Sequence, residues 1–273
     1  MIIKRIFDYK GAPLLAIGFV LLFFLEGRKA LRKRQSSRTM RVITNSIVSI
    51  PAFVLLRFVF LPLMLKLTVF NQKYRLGLVN QFNASAFPKS VVVFLILDYG
   101  NYLWHVLNHK IPVLWRFHLV HHTDTDLDVT TAIRFHFGEL IGSVLFRGLF
   151  VFFSGASARD VLIYEILFEG ATQFHHSNWK LPYQIEKSLN KIIVTPRMHG
   201  IHHSITKSEM DSNYSVIFSF WDQIHKTLKL DIEQDELVIG VPFYTEAKEL
   251  TILNLLKLPF TKLKYGNTVL ENA

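Results

Sequence analysis

Two segments of the sequence repeat one histidine spacing, H-x-x-H-H. They are HLVHH at residues 118–122 and HGIHH at residues 199–203, and His105 and His109 add a pair four residues apart. With 12 histidines in 273 residues, chance predicts only about 0.02 matches to this spacing. Residues i, i+3 and i+4 of a helix share one face. Each segment is therefore predicted to be a helix that projects its imidazoles together.

The chemistry of these side chains favours metal binding. Neutral imidazole is the commonest protein ligand for metals. One ion rarely takes eight protein ligands, so the convergence of three such helices predicts two metal ions. Imidazole binds Fe, Zn, Cu and Ni alike, so the spacing does not select among them. The eight predicted ligands are His105, His109, His118, His121, His122, His199, His202 and His203.

Other roles for histidine account for fewer of these features. A lone histidine on an apolar face is typically a hydrogen-bonded core residue, and that interpretation fits His225 and His175. A pH-sensing cluster has no need for repeated helical spacing. The chain has no cysteine, which excludes thiolate ligands and cysteine nucleophiles. H-E-x-x-H, phosphate-binding and dinucleotide-binding motifs are absent, and GASAR (155–159) departs from G-x-S-x-G at its last position.

Four apolar runs precede or interleave with the histidines. They lie near residues 12–25, 42–70, 87–107 and 140–170. A spanning helix needs roughly 20 apolar residues, so the first run is short. Basic residues follow that run, however, and no cleavage site typical of a signal peptide does. SGASARD interrupts the fourth run, which predicts either two half-length helices around a kink or a hairpin.

The distribution of charge favours a membrane over nucleic acid as the partner. The formal net charge is +10, but residues 28–41 hold seven Lys or Arg and no acid, which leaves +3 (10 − 7) for the rest. Basic residues directly after an apolar run are typical of a cytoplasmic end. The sequence thus predicts an all-α, integral-membrane helical bundle of about four spans with a cytoplasmic histidine-rich helical cap. One domain is predicted over residues 1–273, with its histidine core at 98–227.

The chain resembles the fatty acid hydroxylase / sterol desaturase superfamily of integral-membrane enzymes over roughly residues 95–227. SNY (212–214) and WD (221–222) also follow that family's pattern. The main matching segments are DYGNYLWHVLNH (98–109), LWRFHLVHH (114–122), DVTTAIRFH (128–136), FHHSN (174–178) and VTPRMHGIHH (194–203).

The resemblance implies a non-haem di-iron centre, with zinc an alternative occupant of a purified sample. Such a centre uses O2 to hydroxylate or desaturate a lipid. The eight histidines above are carried over as ligands. His136 and His176 are implied as further ligands or as partners of the ligands, with His176 selected over His175. The sequence departs from the family at Phe137, at Ser215 and at 225–227, so the lipid class stays open.

Carboxylates and amides near the histidines are candidates for orienting them. Asp98 lies seven residues before His105 on the same helical face, and we predict that it accepts a hydrogen bond from a ligand imidazole. Asn178, Glu139 and Asp128 are further candidates for this role, and Arg134 is a candidate partner for one of them.

The chain encodes no electron-transfer module, so a separate reductase with a cytochrome or ferredoxin is expected. The basic stretch is a candidate docking surface for that donor, although anchoring to anionic lipid explains it as well. The alternative function is a metal-dependent lipid-cleaving hydrolase that uses the same site. A metal transporter would need ligands within the spans, and a silent scaffold would not need eight histidines.

Overall fold

The computed structural model describes residues 11–264, and its regular secondary structure in that range is helical, apart from three isolated bridges. This confirms the all-α prediction. Twelve α-helices are found within the described residues: α1 Ala12–Arg28, α2 Arg38–Leu55, α3 Leu61–Tyr74, α4 Ala86–Lys110, α5 Pro112–His122, α6 Phe137–Ser154, α7 Ala158–His176, α8 Tyr183–Leu189, α9 Pro196–His202, α10 Lys207–Met210, α11 Phe220–His225 and α12 Ile252–Lys257.

Three of the described helical stretches are long and apolar enough to cross a membrane. They are Arg38–Gln81, Ala86–Lys110 and Phe137–Ser154. The first is α2 and α3 joined through a π-helical turn at Leu56–Phe60. That turn comes just before Pro62, which has no N–H for an ordinary helical hydrogen bond. The predicted runs at 42–70 and 87–107 fall within these stretches.

The fourth predicted run is a helical hairpin rather than a kinked helix. Helix α6 ends at Gly155, whose φ of 80° lies in the left-handed region, and Ser157 caps the start of α7. A side chain at Gly77 is excluded here, because its Cβ would lie 2.2 Å from the Gly155 nitrogen. The loop after α3 therefore packs closely against the hairpin turn, because neither Gly77 nor Gly155 has a side chain at the contact.

The outer faces of the long helices carry large apolar side chains without protein cover. Leu14 and Phe24 on α1 are more than 60% exposed, as are Phe58 after α2 and Phe153 on α6. Soluble proteins rarely expose apolar surface of this extent. These faces are suited to contact with the hydrocarbon of a bilayer.

The inner faces pack around α4. This helix contacts α5, α6 and α7, while α7 also packs against α1 and α9. Val93, Leu97, Val144 and Tyr164 belong to the buried cluster between them. The C-terminal ends of α4, α5, α7 and α9 consequently meet in one region, and each of these ends carries histidines.

Part of the basic stretch at 28–41 is internal, whereas Arg28, Lys29 and Lys33 are exposed. Arg32 and Arg41 are buried, and Arg38 donates to Glu26 at 2.8 Å. The Arg32 guanidinium donates to the side chain of Gln234 at 2.6 Å. These cations tie the α1–α2 connection to the rest of the molecule.

Candidate metal centre

The histidines form two groups, and one ring nitrogen from each member lies within 4.8 Å of the others in its group. Cluster A consists of His105, His109, His118, His122 and His202; cluster B consists of His121, His176, His199 and His203. All members except His109, which is partly exposed, are buried. The eight histidines predicted as ligands therefore lie together, and His176 joins them.

Helical spacing explains how each cluster is assembled. Three pairs four residues apart, 105/109 on α4, 118/122 on α5 and 199/203 at α9, each point to a single cluster. The middle histidine of each triplet crosses to the other cluster. His121 joins the 199/203 pair, and His202 joins the other two pairs.

Backbone carbonyls and one carboxylate fix the outward nitrogens of cluster A. His105 Nδ1 lies 2.8 Å from the Tyr214 carbonyl oxygen, and His202 Nδ1 lies 2.7 Å from that of Ser212. His118 Nδ1 lies 2.8 Å from Glu139 Oε1. Since carbonyl and carboxylate oxygens only accept, each Nδ1 carries the proton and each Nε2 keeps a free lone pair.

In cluster B the same assignment of protons leaves the Nε2 lone pairs of His121 and His176 facing each other. His176 Nδ1 donates to the Thr172 carbonyl at 2.7 Å and His121 Nδ1 donates to the Arg134 carbonyl at 3.3 Å. Their unprotonated Nε2 atoms are nevertheless only 3.0 Å apart. Two lone pairs repel at this separation unless a cation lies against both of them.

Protonation does not supply that cation at neutral pH. Burial lowers the pKa of His202 to about 3 and holds that of His121 well below the ordinary value. Burial and neighbouring histidines also hold the pKa values of His199 and His203 well below the ordinary value. These four imidazoles are therefore neutral at pH 7, which is the form that binds metals.

The remaining geometry also fits metal ions. The buried Nε2 atoms of His109 and His202 have no hydrogen-bond partner within the described structure, and such atoms need an explanation in a native fold. Ligand nitrogens bind metals such as zinc at about 2.0–2.1 Å, so nitrogens on opposite sides of one ion are about 4.2 Å apart. Each cluster, confined within 4.8 Å, matches one ion.

Three predicted site residues lie outside the two clusters. His136 caps α6, where its Nδ1 accepts from Gly138 N at 3.0 Å. Asp98 accepts from the indole N–H of Trp221 at 2.8 Å, so its partners differ from the predicted imidazole. Asn178 is hydrogen-bonded to the backbone of Arg32 through both side-chain atoms. Asp98 and Asn178 thus hold chain segments together beside the centre.

Glu139 occupies the role that was predicted first for Asp98. It comes three residues after His136, in the first turn of α6, and faces His118. Helical spacing from His105 favoured Asp98, but only the packing of α6 against α5 decides which carboxylate reaches a ring nitrogen. His175 likewise lies beside the centre, with its Nδ1 3.1 Å from the Val216 carbonyl oxygen.

Sequence reasoning missed a buried ionic network behind His121. The Arg41 guanidinium donates to both carboxylate oxygens of Asp124, at 2.7 and 2.8 Å, and also to Asp128. Although burial opposes its ionisation, Arg41 holds the pKa of Asp124 well below the usual range. The available signal was the Asp two residues after the first triplet. Its partner, Arg41, was hidden among residues interpreted as a membrane anchor.

A cavity of about 470 Å³ borders both clusters. His105 and His118 of cluster A and His121, His176 and His199 of cluster B contribute to its wall. From there the cavity reaches between the long helices, where Ile50, Phe53 and Leu56 of the α2 region, Trp104 of α4 and Phe168 of α7 line it. Its largely apolar walls suit an apolar ligand that reaches the histidines.

The described residues, with membrane-length helices and two buried histidine clusters that could hold metal ions, define a class of helical membrane protein with a candidate metal centre. Within that class, residues 90–227, about half of the chain, match the model of the family described as Fatty acid hydroxylase. The chain belongs to the fatty acid hydroxylase family, as the sequence motifs predicted.

Curated relatives align with about half of the chain. It is 27% identical to alkylglycerol monooxygenase of Homo sapiens over 149 residues, 54% of this chain and 32% of that protein. It is 30% identical to an ornithine lipid hydroxylase of Rhizobium tropici over 151 residues, 55% and 45% of the two chains. It is 24% identical to cholesterol 25-hydroxylase of Rattus norvegicus over 152 residues, 55% and 50% of the two chains. The aligned part thus spans half or less of each of these relatives, and no solved structure matches the chain.

Proposed function

We propose that the protein is a membrane-bound lipid hydroxylase with a non-haem di-iron centre that uses O2 and external electrons. The observation that carries this proposal is the contact between the apolar cavity and both histidine clusters. The relatives support it, because their names describe hydroxylation or monooxygenation of lipids. Hydroxylation is favoured over desaturation on the same ground.

The two metal ions would be held by clusters A and B. When bound, two irons supply the redox chemistry that O2 activation requires, which zinc does not. The chain's own residues do the positioning. Glu139 and the carbonyls of Arg134, Thr172, Ser212 and Tyr214 hold the imidazoles so that their unprotonated nitrogens converge. The cavity wall keeps an apolar chain beside them and excludes bulk water.

The arrangement proposed in the membrane has four crossing segments. These are α1, the α2–α3 stretch, α4 and the α6–α7 hairpin, with the histidine centre on the cytoplasmic side. The placement of Lys and Arg after α1 supports that orientation. A separate cytochrome or ferredoxin with its reductase is proposed as the electron donor.

The decisive experiment is oxygen labelling. Purified protein in lipid nanodiscs is supplied with iron, a ferredoxin–reductase pair, ¹⁸O2 and a lipid extract, and products are read by mass spectrometry. The proposal expects one ¹⁸O atom in a lipid hydroxyl, lost in His203→Ala. Lipid cleavage that proceeds without O2 would instead establish the hydrolase alternative.

Orientation has a separate test. Because the chain has no cysteine, a single Ser208→Cys substitution at an exposed position provides a unique label site. An impermeant maleimide added to intact cells should leave it unlabelled, while lysed cells should label it. Labelling of intact cells would place the centre on the other side of the membrane.

A further inference from the structure

Charged side chains lie inside the hairpin of α6 and α7, which is proposed above to cross the membrane. Arg147 is near the middle of α6, and Glu165 and Glu169 are near the middle of α7. Ionisable residues within membrane helices are costly, and they usually face a partner or a functional cavity. Their positions therefore indicate that these charges have a partner or a functional role.

Two of these residues neutralise each other. The Arg147 guanidinium makes an ion pair with Glu165 and lies 5.0 Å from the centre of the Phe168 ring. Glu165 borders a separate small cavity beside Met64 and Leu97. The pair accounts for Glu165, whereas Glu169 has only the nearby charge of Arg147 and no direct ion pair with it.

Glu169 faces the large cavity and makes no hydrogen bond or ion pair among the described residues. Arg147 and Thr172 line the cavity beside it. The Thr172 side chain is 4% exposed, and its Oγ1 also has no hydrogen-bond partner within the described residues. Glu169 and Thr172 are three residues apart on α7, so they share one face. We call Arg147, Glu169 and Thr172 the polar patch.

The polar patch lies at a defined distance from the histidines. Glu169 precedes His176 by seven residues on α7, which corresponds to roughly 10 Å along the helix axis. Arg147 follows Glu139 by eight residues on α6, or roughly 12 Å. A molecule in the cavity can therefore touch the polar patch at one point and the metal centre at another.

We propose that the polar patch binds a hydroxyl group of the lipid substrate, so that a carbon roughly 10 Å away along the substrate lies at the metal centre. Glu169 accepts the hydroxyl proton in a hydrogen bond, and Thr172 supplies a second polar contact. A hydroxyl fits better than an ammonium group, because a hydroxyl donates to Glu169 and also offers an accepting oxygen to Arg147 and Thr172, whereas an ammonium group only donates and would lie beside the Arg147 cation. This inference rests on the lipid-hydroxylase function in taking the cavity as the substrate site.

Binding of matched probes tests this assignment. Full-length protein in nanodiscs is titrated with hexadecan-1-ol, with its methyl ether and with hexadecylamine, and bound lipid is measured by mass spectrometry. Wild-type protein should bind the alcohol about tenfold more tightly than the ether, since hydrogen bonds to charged groups contribute about that much. Glu169→Leu should remove the preference, and the isosteric Thr172→Val should reduce it. Asp160→Asn, which changes an acid at the start of the same helix, should retain it.

Folding is checked in each variant by the two-metal content, and Glu169→Gln provides a milder variant that keeps an accepting oxygen. Equal affinity of wild-type protein for alcohol and ether overturns the proposal, as does a preference that survives Glu169→Leu. Tighter binding of the amine overturns the hydroxyl assignment. An alcohol preference without any ¹⁸O incorporation would refute the hydroxylase function while leaving the polar patch as a binding site.

Discussion

Cluster A and cluster B differ in what holds their imidazoles. Cluster A has five histidines, and its outward nitrogens contact Glu139 and the 212–214 loop. That loop is itself held by Asp222, which accepts from the backbone N–H groups of Tyr214 and Ser215 at 2.8 and 2.9 Å. Cluster B has four histidines, and the outward nitrogens of His121 and His176 contact the backbone carbonyls of Arg134 and Thr172. A carboxylate thus contacts an imidazole of cluster A directly, whereas these two imidazoles of cluster B are held by the backbone.

The exchange of the middle histidines links the two clusters mechanically. Helix α5 sends His118 and His122 to cluster A but His121 to cluster B, and the α9 segment does the reverse. A movement of either helix therefore disturbs both metal positions. Changes of single ligand residues, in contrast, should affect the two metal positions unequally.

The largest expected effect comes from removing one ligand. His203→Ala reduces cluster B from four imidazoles to three, whereas His122→Ala leaves cluster A with four. We expect each variant to lose at least about 100-fold in hydroxylation rate, because even partners of ligands contribute up to that much. Elemental analysis should show loss of one ion in His203→Ala and a smaller loss of metal in His122→Ala, whose cluster keeps four imidazoles. Two ions retained in both variants would contradict the assignment of the clusters.

The next effect is on stability behind cluster B. Asp124→Ala leaves the buried Arg41 without its main partner, and breaking such a pair costs about 3–5 kcal/mol of unfolding free energy. Denaturant unfolding in micelles measures the loss. Asp160→Ala is the control, since it removes a helix cap at Ser157 and should cost only about 1 kcal/mol. Similar losses in the two variants would show that the ionic network is not a stabilising element.

A smaller effect is specific to cluster A. Glu139→Gln removes the carboxylate that orients His118, and loss of such a partner typically weakens metal affinity about 10–100-fold. Competition with a chelator should therefore release one ion earlier than in wild-type protein, with the second unchanged. Glu165→Gln, on the facing helix, should leave both ions in place. Simultaneous weakening of both sites would mean that Glu139 acts on the whole helix bundle.

The smallest effect concerns His136. As a helix cap, its replacement by alanine should cost about 1 kcal/mol of stability and leave two metal ions bound. Its position at the end of the segment DVTTAIRFH (128–136) predicted that His136 is a ligand or a partner of a ligand. Loss of an ion in His136→Ala would restore that role.

Local spacing predicted much of the centre because the imidazoles belong to helices. The pairs 105/109, 118/122 and 199/203 share faces in any α-helix, so their convergence required only that three helices meet. The apolar runs likewise predicted the long helices, since length and hydropathy are local properties. The sequence did not decide between a kinked helix and a hairpin at Gly155, because the segment SGASARD is compatible with both.

The sequence by itself determined the helices, their apolar faces and the set of histidines available to bind metals, because a 3.6-residue period fixes which side chains project together. Tertiary packing alone decided that His121 and His202 exchange clusters, that Glu139 rather than Asp98 reaches an imidazole, and that His136 serves as a cap. Those outcomes depend on the approach of helices distant in sequence. Differences of a few ångströms between helix axes select one carboxylate or ring over another, and no residue spacing encodes them.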